Sequence, residues 1–371
     1  MKDNLRVIIC GGGTGGHIFP ALSIANAIRK ELPGSEILFV GALGRMEMER
    51  VPAAGYDIVG LPVAGLKRKM DVSNLMLPFK ILKSLKKAGE IITHFNPDVA
   101  VGVGGYASGP LLWMAGQRGI PYLIQEQNSY AGLTNRILSK RAKKICVAYD
   151  GMERFFAKEK IILTGNPVRK EIKETTKELR EEAVKYFGLD PKKRTILVVG
   201  GSLGARTLNN CVKNWILENC PGNIQIIWQF GKYYKESLTE FLAKNPKDYV
   251  KENEFIKRMD YAFAAADLVI SRAGAGTISE LCVAKKACIF VPSPNVTEDH
   301  QTHNAMALVN RGAALLVSDA DAESRLMNIA KIFVNDIEKI ETMEANISKM
   351  AYKDSAEIIA EEVIKLNREK K

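Results

Sequence analysis

Short unbroken runs of Val, Ile and Leu recur along the chain, separated by segments whose apolar residues return every three or four positions. The runs Leu5–Ile9, Glu36–Val40, Val99–Val103, Tyr122–Gln125 and Lys144–Ala148 lie in the first half. Ile196–Val199, Ile224–Gln229, Leu268–Ser271 and Ala287–Val291 lie in the second. Strands that read as continuous apolar stretches are covered on both faces, and their alternation with helical periodicity predicts parallel sheets in an α/β fold. Two junctions stand out. Leu5–Cys10 runs into Gly11-Gly12-Gly13-Thr14-Gly15-Gly16-His17, and Thr195–Val199 runs into Gly200-Gly201-Ser202-Leu203-Gly204-Ala205. Each turn leads directly into a helix, whose bare N–H groups suit a phosphate. Two such turns half a chain apart predict two similar domains facing one cleft.

The joint is expected at Thr164-Gly165-Asn166-Pro167-Val168-Arg169, followed by a charged helix from Lys170 to Phe187 and a turn at Gly188-Leu189-Asp190-Pro191. This gives an N-terminal domain over 1–164 and a C-terminal one over 165–349. The last helix, about 350–371, carries Ala356, Ile359, Ala360, Val363 and Leu366 on one face, with a cap at Asp354 or Ser355.

At 371 residues the chain exceeds one ordinary core, which agrees with two domains. The six cysteines have no metal-like spacing and fall mostly in apolar runs, as reduced thiols of a cytosolic core do. A strand starting at Leu5 leaves no room for a signal peptide. Val99–Gln117 is uncharged and nearly long enough to span a bilayer, but Gly102, Gly104, Gly105, Gly109 and Pro110 break it into strand, turn and helix. A net charge of +11 points to a polyanionic partner. No nucleic-acid motif is present, so an acidic membrane surface ranks above nucleic acid.

Gly11–Gly16 satisfies GxGxxG, but the second strand ends Phe39-Val40-Gly41 without the carboxylate that a dinucleotide ribose requires. Gly200–Thr207 misses the phosphate-loop pattern of ATPases, with Ala205 and Arg206 where Gly and Lys belong. His17 lies where the first turn enters its helix, which makes it a candidate base, whereas His94 at a helix end reads as a surface residue. Ser271–Glu280 forms a third strand–glycine–helix junction. Its Glu280 reads either as a first-turn carboxylate complementing the helix dipole or as an acceptor for ribose hydroxyls. Asp319-Ala320-Asp321 spells the DxD of metal-dependent sugar transferases, yet also suits a capped helix start. Leu66-Lys67-Arg68-Lys69-Met70 and Leu75–Lys87 mix bulky apolar residues with lysines. The stretch is either a solvated amphipathic helix or a membrane patch of Leu75, Phe79, Lys80, Lys83, Lys86 and Lys87.

Gly12–Ala21, Gly104–Ser108, Glu126-Gln127-Asn128 with Ala131–Asn135, Gly165–Arg169, Gly200–Ala205 and Ser271–Glu280 together resemble the MurG family, from about Val7 to Asn304. These enzymes add N-acetylglucosamine to lipid I, giving lipid II in peptidoglycan synthesis. The resemblance implies a GT-B fold of two Rossmann-like domains, UDP-N-acetylglucosamine on the C-terminal one and undecaprenyl-linked lipid I on the N-terminal one. It also implies a final helix returning to the N-terminal domain and a peripheral place on the cytoplasmic membrane surface. Carried over, Ile256 meets the uracil through its backbone and Glu280 the ribose hydroxyls, while Ser202 and Arg169 face the diphosphate. Thr14, Gly15, Gly16, Asn128, Ala275, Gly276, Thr277 and Gln301 surround the sugar, and Ile278 and Ser279 complete the donor segment. His17 is the candidate base. Helix dipoles and Arg169 stabilise the leaving diphosphate, so no metal or other cofactor is needed. Two departures are visible: Gln125 stands where some members have histidine, and the loop Ser293–His300 differs from the family's usual forms. The rival readings are a nucleotide-sugar epimerase of the same fold and a non-catalytic nucleotide-binding protein at the membrane.

Overall fold

The computed structural model describes residues 4–13, 15–63, 77–218 and 222–368. Two compact units emerge: Met1–Arg169 with Tyr352–Lys371, and Lys170–Ala351.

The first unit runs β1 (Arg6–Cys10), α1 (Gly15–Glu31), β2 (Glu36–Ala42), α2 (Glu47–Ala53), β3 (Asp57–Leu61), α3 (Leu77–Phe95) and β4 (Val99–Gly102). It continues through α4 (Ser108–Gln117), β5 (Tyr122–Glu126), α5 (Leu133–Leu138), β6 (Lys144–Val147) and β7 (Ile161–Leu163). These strands form one seven-stranded sheet in the order β3-β2-β1-β4-β5-β6-β7, with every pairing parallel. Side chains alternate across it. Val7 and Ile9 pack with Ile24 and Ile28 of α1, while Ile8 and Cys10 pack with α3 and α4 on the other face.

The second unit runs α6 (Lys177–Tyr186), β8 (Arg194–Val199), α7 (Arg206–Leu217), β9 (Ile224–Gln229), α8 (Lys235–Lys244), β10 (Val250–Asn253) and α9 (Met259–Ala265). Then come β11 (Leu268–Ser271), α10 (Ala275–Ala284), β12 (Cys288–Phe290), α11 (His300–Val309), β13 (Leu315–Leu316), α12 (Asp319–Val334) and α13 (Ile337–Ser348). Its six strands lie in the order β10-β9-β8-β11-β12-β13, again all parallel. The last helix, α14 (Ser355–Arg368), belongs to the first unit, where Ile359, Ala360, Val363 and Leu366 join the cluster of α1.

The α/β class and the parallel sheets agree with the sequence pattern, but four strands were not anticipated. All four, β3, β7, β10 and β13, are sheet edges. Their residues are mostly part-exposed; β3 and β10 carry polar residues, and β7 and β13 are only three and two residues long. The charged helix starts at Lys177, not Lys170. Thr176 caps it, its hydroxyl accepting the Leu179 N–H at 3.2 Å. The unit boundary falls after Arg169, not after Thr164. Gly165, at φ +73°, lies beneath Tyr352, where a Cβ would come within 2.3 Å. Asn166 is tied to Gln125 and to the Gln127 carbonyl at 2.8 and 3.0 Å. The uncharged Val99–Gln117 stretch divides into β4, a turn and α4, and no described helix is long and apolar enough to cross a membrane.

Candidate active site

In each sheet the strand order reverses once, between β1 and β4 and between β8 and β11. Open parallel sheets bind ligands beyond the carboxyl ends of the strands at such a reversal. Every glycine junction singled out above lies at one: Gly11–Gly16 after β1, Gly104-Gly105 after β4, Gly200–Gly204 after β8 and Gly274 after β11.

At the first reversal the two turns interlock. Gly105 takes φ +83°, and a Cβ there would lie 2.3 Å from the Gly12 carbonyl oxygen. Ser108 clamps the pair, donating to the carbonyls of Cys10 and Gly104 at 3.0 and 2.9 Å. His17, in the first turn of α1, is half-buried with its ring against Gly104, where a Cβ would come within 3.0 Å of Nε2. Its Nδ1 lies 3.1 Å from the Gly12 carbonyl. A carbonyl can only accept, so Nδ1 carries the proton and the lone pair of the neutral ring sits on Nε2. Gly15 and Gly16 open α1 beside it, and Thr14 lies outside the described residues.

Asn128 owes its place to Glu126. That buried carboxylate accepts the backbone and side-chain N–H of Asn128 at 3.0 and 3.3 Å, the Gly132 N–H at 3.3 Å and Asn135 Nδ2 at 2.8 Å. Burial raises its pKa above the ordinary carboxylate value, and these donors offset the rise only in part. Gln125 is wholly buried and donates to Asn166, which makes it a structural amide. Arg169 is half-buried in the first unit.

In the second unit α7 and α10 begin without a side-chain cap, at Ala205 and Gly274, leaving their first N–H groups available to an anion. Ser202 is exposed at the tip of the turn before α7. Gln229, at the end of β9, bridges two parts of this site. Its Nε2 donates to the Gly201 carbonyl at 3.0 Å, and its Oε1 accepts the Ile256 N–H at 2.9 Å. The Ile256 N–H is thereby used, and the carbonyl is the backbone group left to meet a base. Ala275, Gly276 and Thr277 form the half-buried first turn of α10, but Ile278 points into the core and Ser279 donates back to the Ala275 carbonyl at 3.0 Å. Glu280 lies in the second turn of α10, whose first turn holds no acidic residue. The dipole's pull fades beyond the first turn, so a dipole-complementing role does not account for Glu280. Gln301, at the start of α11, holds the preceding loop through its Oε1, which accepts the Ser293 N–H at 2.8 Å. In that loop Glu298 and Asp299 both take positive φ, of +54° and +48°.

The DxD reading gives way to a structural one. Asp319 pairs with Arg272 at 2.5 Å and accepts from Thr207 at 3.1 Å, while Ser318 caps α12 by accepting the Asp321 N–H at 3.1 Å. Arg272 also donates to the Val291 and Pro292 carbonyls, bracing the β11 and β12 ends.

On α3, Ala88, Ile91 and Ile92 face the sheet, whereas Phe79 is 67 % and Leu82 64 % exposed beside the exposed Lys80, Lys83 and Lys86 and the half-buried Lys87. Leu75 and the run Leu66–Met70 lie outside the described residues. Exposed apolar residues continue onto the adjoining helices: Trp113 on α4, with Arg141 over its ring, and Leu133 and Ile137 on α5. The sequence does not mark these residues as exposed, because each helix also carries buried apolar residues, such as Leu111 and Leu138. The sequence reading missed Gln229, although a polar residue closing the apolar run Ile-Gln-Ile-Ile-Trp-Gln is a usable signal.

Comparison with known proteins decides the family. The glycosyltransferase family 28 N-terminal domain matches residues 7–147, and its C-terminal domain matches residues 195–359. A relative from Phocaeicola vulgatus is 58 % identical, covering 99 % of this chain and 97 % of its own. It is named UDP-N-acetylglucosamine–N-acetylmuramyl-(pentapeptide) pyrophosphoryl-undecaprenol N-acetylglucosamine transferase. The chain belongs to the MurG family. A crystal structure of Acinetobacter baumannii MurG superposes with a TM-score of 0.77 at 28 % identity, covering 97 % of this chain and 99 % of that one. A putative UDP-N-acetylglucosamine 2-epimerase from Listeria monocytogenes reaches a TM-score of 0.69 at 13 % identity, covering 99 % and 97 %, which shows the shared GT-B fold alone. MurG membership therefore rests on sequence as well as shape, whereas the epimerase likeness rests on shape.

Proposed function

We propose that this protein is an inverting glycosyltransferase that moves N-acetylglucosamine from UDP-N-acetylglucosamine to the 4-hydroxyl of the N-acetylmuramoyl residue of lipid I, forming lipid II. The observation that carries this reading is the full-length identity of 58 % to a relative named for that transfer. The second unit takes the donor: the Ile256 carbonyl accepts from the uracil, the Glu280 carboxylate accepts the ribose hydroxyls, and the α7 turn with Ser202 receives the diphosphate. Arg169 adds its charge to the leaving group. The sugar meets Thr14, Gly15, Gly16, Asn128, Ala275, Gly276, Thr277 and the Gln301 amide. Ile278, being buried, contributes only backbone, and Ser279 holds the helix turn.

The first unit takes the acceptor. Nε2 of His17 removes the proton from the 4-hydroxyl as its oxygen attacks C1 of the sugar from the face opposite the diphosphate. The C1–O bond breaks with its electron pair leaving on UDP, which the uncapped helix N-termini and Arg169 stabilise. The imidazolium then returns its proton to solvent. Phe79, Leu82 and the lysines of α3 dock the unit on the anionic cytoplasmic face of the plasma membrane, from which the lipid tail of the acceptor cannot leave.

Incubation with UDP-N-acetylglucosamine and lipid I, followed by chromatography of both substrates, tests the reading. Lipid II and UDP should form in equal amounts. An epimerised sugar nucleotide, or bound but unchanged donor, would replace this reading with the epimerase or the binding protein.

A further inference from the structure

Glu47 is 1 % exposed, yet it opens a helix in a polar stretch of sequence. Its Oε1 accepts the Ala42 N–H and its Oε2 the Gly13 N–H, each at 2.9 Å. The carboxylate therefore stands between the end of β2 and the turn that precedes His17. Two glycines make room for it. A Cβ at Gly12 would lie 2.2 Å from Oε1, and one at Gly41 would lie 2.5 Å from Cγ.

The Gly13 N–H and the Gly12 carbonyl belong to one planar peptide group, so whatever holds the N–H also aims the oxygen. That oxygen is the one bonded to His17 Nδ1 at 3.1 Å. Gly105 abuts the same oxygen from the other turn, which limits any rotation of the peptide. We propose that Glu47 is a positioning residue for His17, acting through the Gly12–Gly13 peptide, an inference that rests on the reading of His17 as the base. A negative charge at the N–H end polarises the peptide and strengthens its carbonyl as an acceptor. The bond fixes the tautomer that leaves the lone pair on Nε2, and it favours the imidazolium formed when Nε2 takes the proton from the acceptor hydroxyl. The arrangement is that of a carboxylate behind a catalytic imidazole, with one peptide group between them.

The chain has four histidines, so ¹⁵N NMR of histidine-labelled protein, run beside kinetics, reads the coupling directly. In the wild type, neutral His17 should be protonated on Nδ1, and the Gly13 amide proton should shift with the titration of His17. Glu47→Gln should move that titration to lower pH, lower kcat about tenfold or more, and leave UDP affinity unchanged. In a His17→Ala background the same substitution should cost almost nothing further. A Gly13 amide that ignores His17, or an equal kcat loss in both backgrounds, overturns the proposal. The base reading fails separately, if His17→Ala turns over within about threefold of wild type instead of falling the 10²–10⁴-fold expected of a lost base. Should Glu47→Gln not fold, the Gly13 titration in the wild type decides alone.

Discussion

Gln229, Glu126 and Glu47 are polar side chains that hold backbone N–H groups of loops and turns in place. Glu280, a half-buried carboxylate in the second turn of α10, is the group proposed to accept the ribose hydroxyls. Glu280→Ala removes charge-assisted hydrogen bonds worth about 1.5–3 kcal/mol, so the donor KM should rise about tenfold or more with a smaller change in kcat. A 2′,3′-dideoxy donor should then suffer little further in the variant. Equal discrimination against it by both proteins would remove Glu280 from the ribose. Gln229 does its work through two backbone groups, Gly201 and Ile256, brought together only in the fold.

Among the elements, α3 shows most clearly what periodicity can and cannot say. Its inward residues Ala88, Ile91 and Ile92 follow helical spacing, but the same spacing also allowed Phe79 and Leu82 to be buried. Their exposure separates a packed helix from one with an apolar outer end. Each lysine near an anionic surface contributes about 1 kcal/mol, so replacing Lys80, Lys83, Lys86 and Lys87 by glutamine should weaken binding to anionic vesicles by roughly two to three orders of magnitude. Phe79→Ser with Leu82→Ser should weaken it even at high salt, where the lysine attraction is screened. Turnover of a short-chain soluble acceptor should survive both sets. Vesicle sedimentation showing the quadruple variant bound like wild type would leave α3 a solvated helix. The edge strands teach the complementary point. A partly exposed strand such as β10, Val-Lys-Glu-Asn, carries no apolar run, and only its pairing with β9 makes it a strand.

At the scale of the molecule, both units bury free thiols. Burial pushes Cys10, Cys211 and Cys282 up to about 12 and raises Cys146 and Cys288 as well. A thiol whose folded pKa exceeds its unfolded one adds stability that is whole below about pH 8.5 and is lost as pH rises toward the folded value. Lys286, pushed down to about 8 by burial, acts in the opposite sense, but it is one group against five. The urea midpoint under reducing conditions should therefore hold to about pH 8 and fall steadily above pH 9, less steeply in Cys10→Ala. A midpoint unchanged at pH 11 would contradict this account.

The sequence by itself determined the α/β class, the central strands and the glycine junctions. Each depends on local sterics or on a short apolar run, and both are written in consecutive residues. It also determined membership of the MurG family, because the motifs keep their order and spacing over most of the chain. Tertiary structure alone decided that Gly165–Arg169 stays with the first unit, held by Tyr352 and Gln125 from distant parts of the chain. It alone placed Glu47 behind the first turn and showed that Asp319 answers Arg272. A buried carboxylate is satisfied by whichever donors the fold brings to it, and those donors leave no periodic trace along the chain.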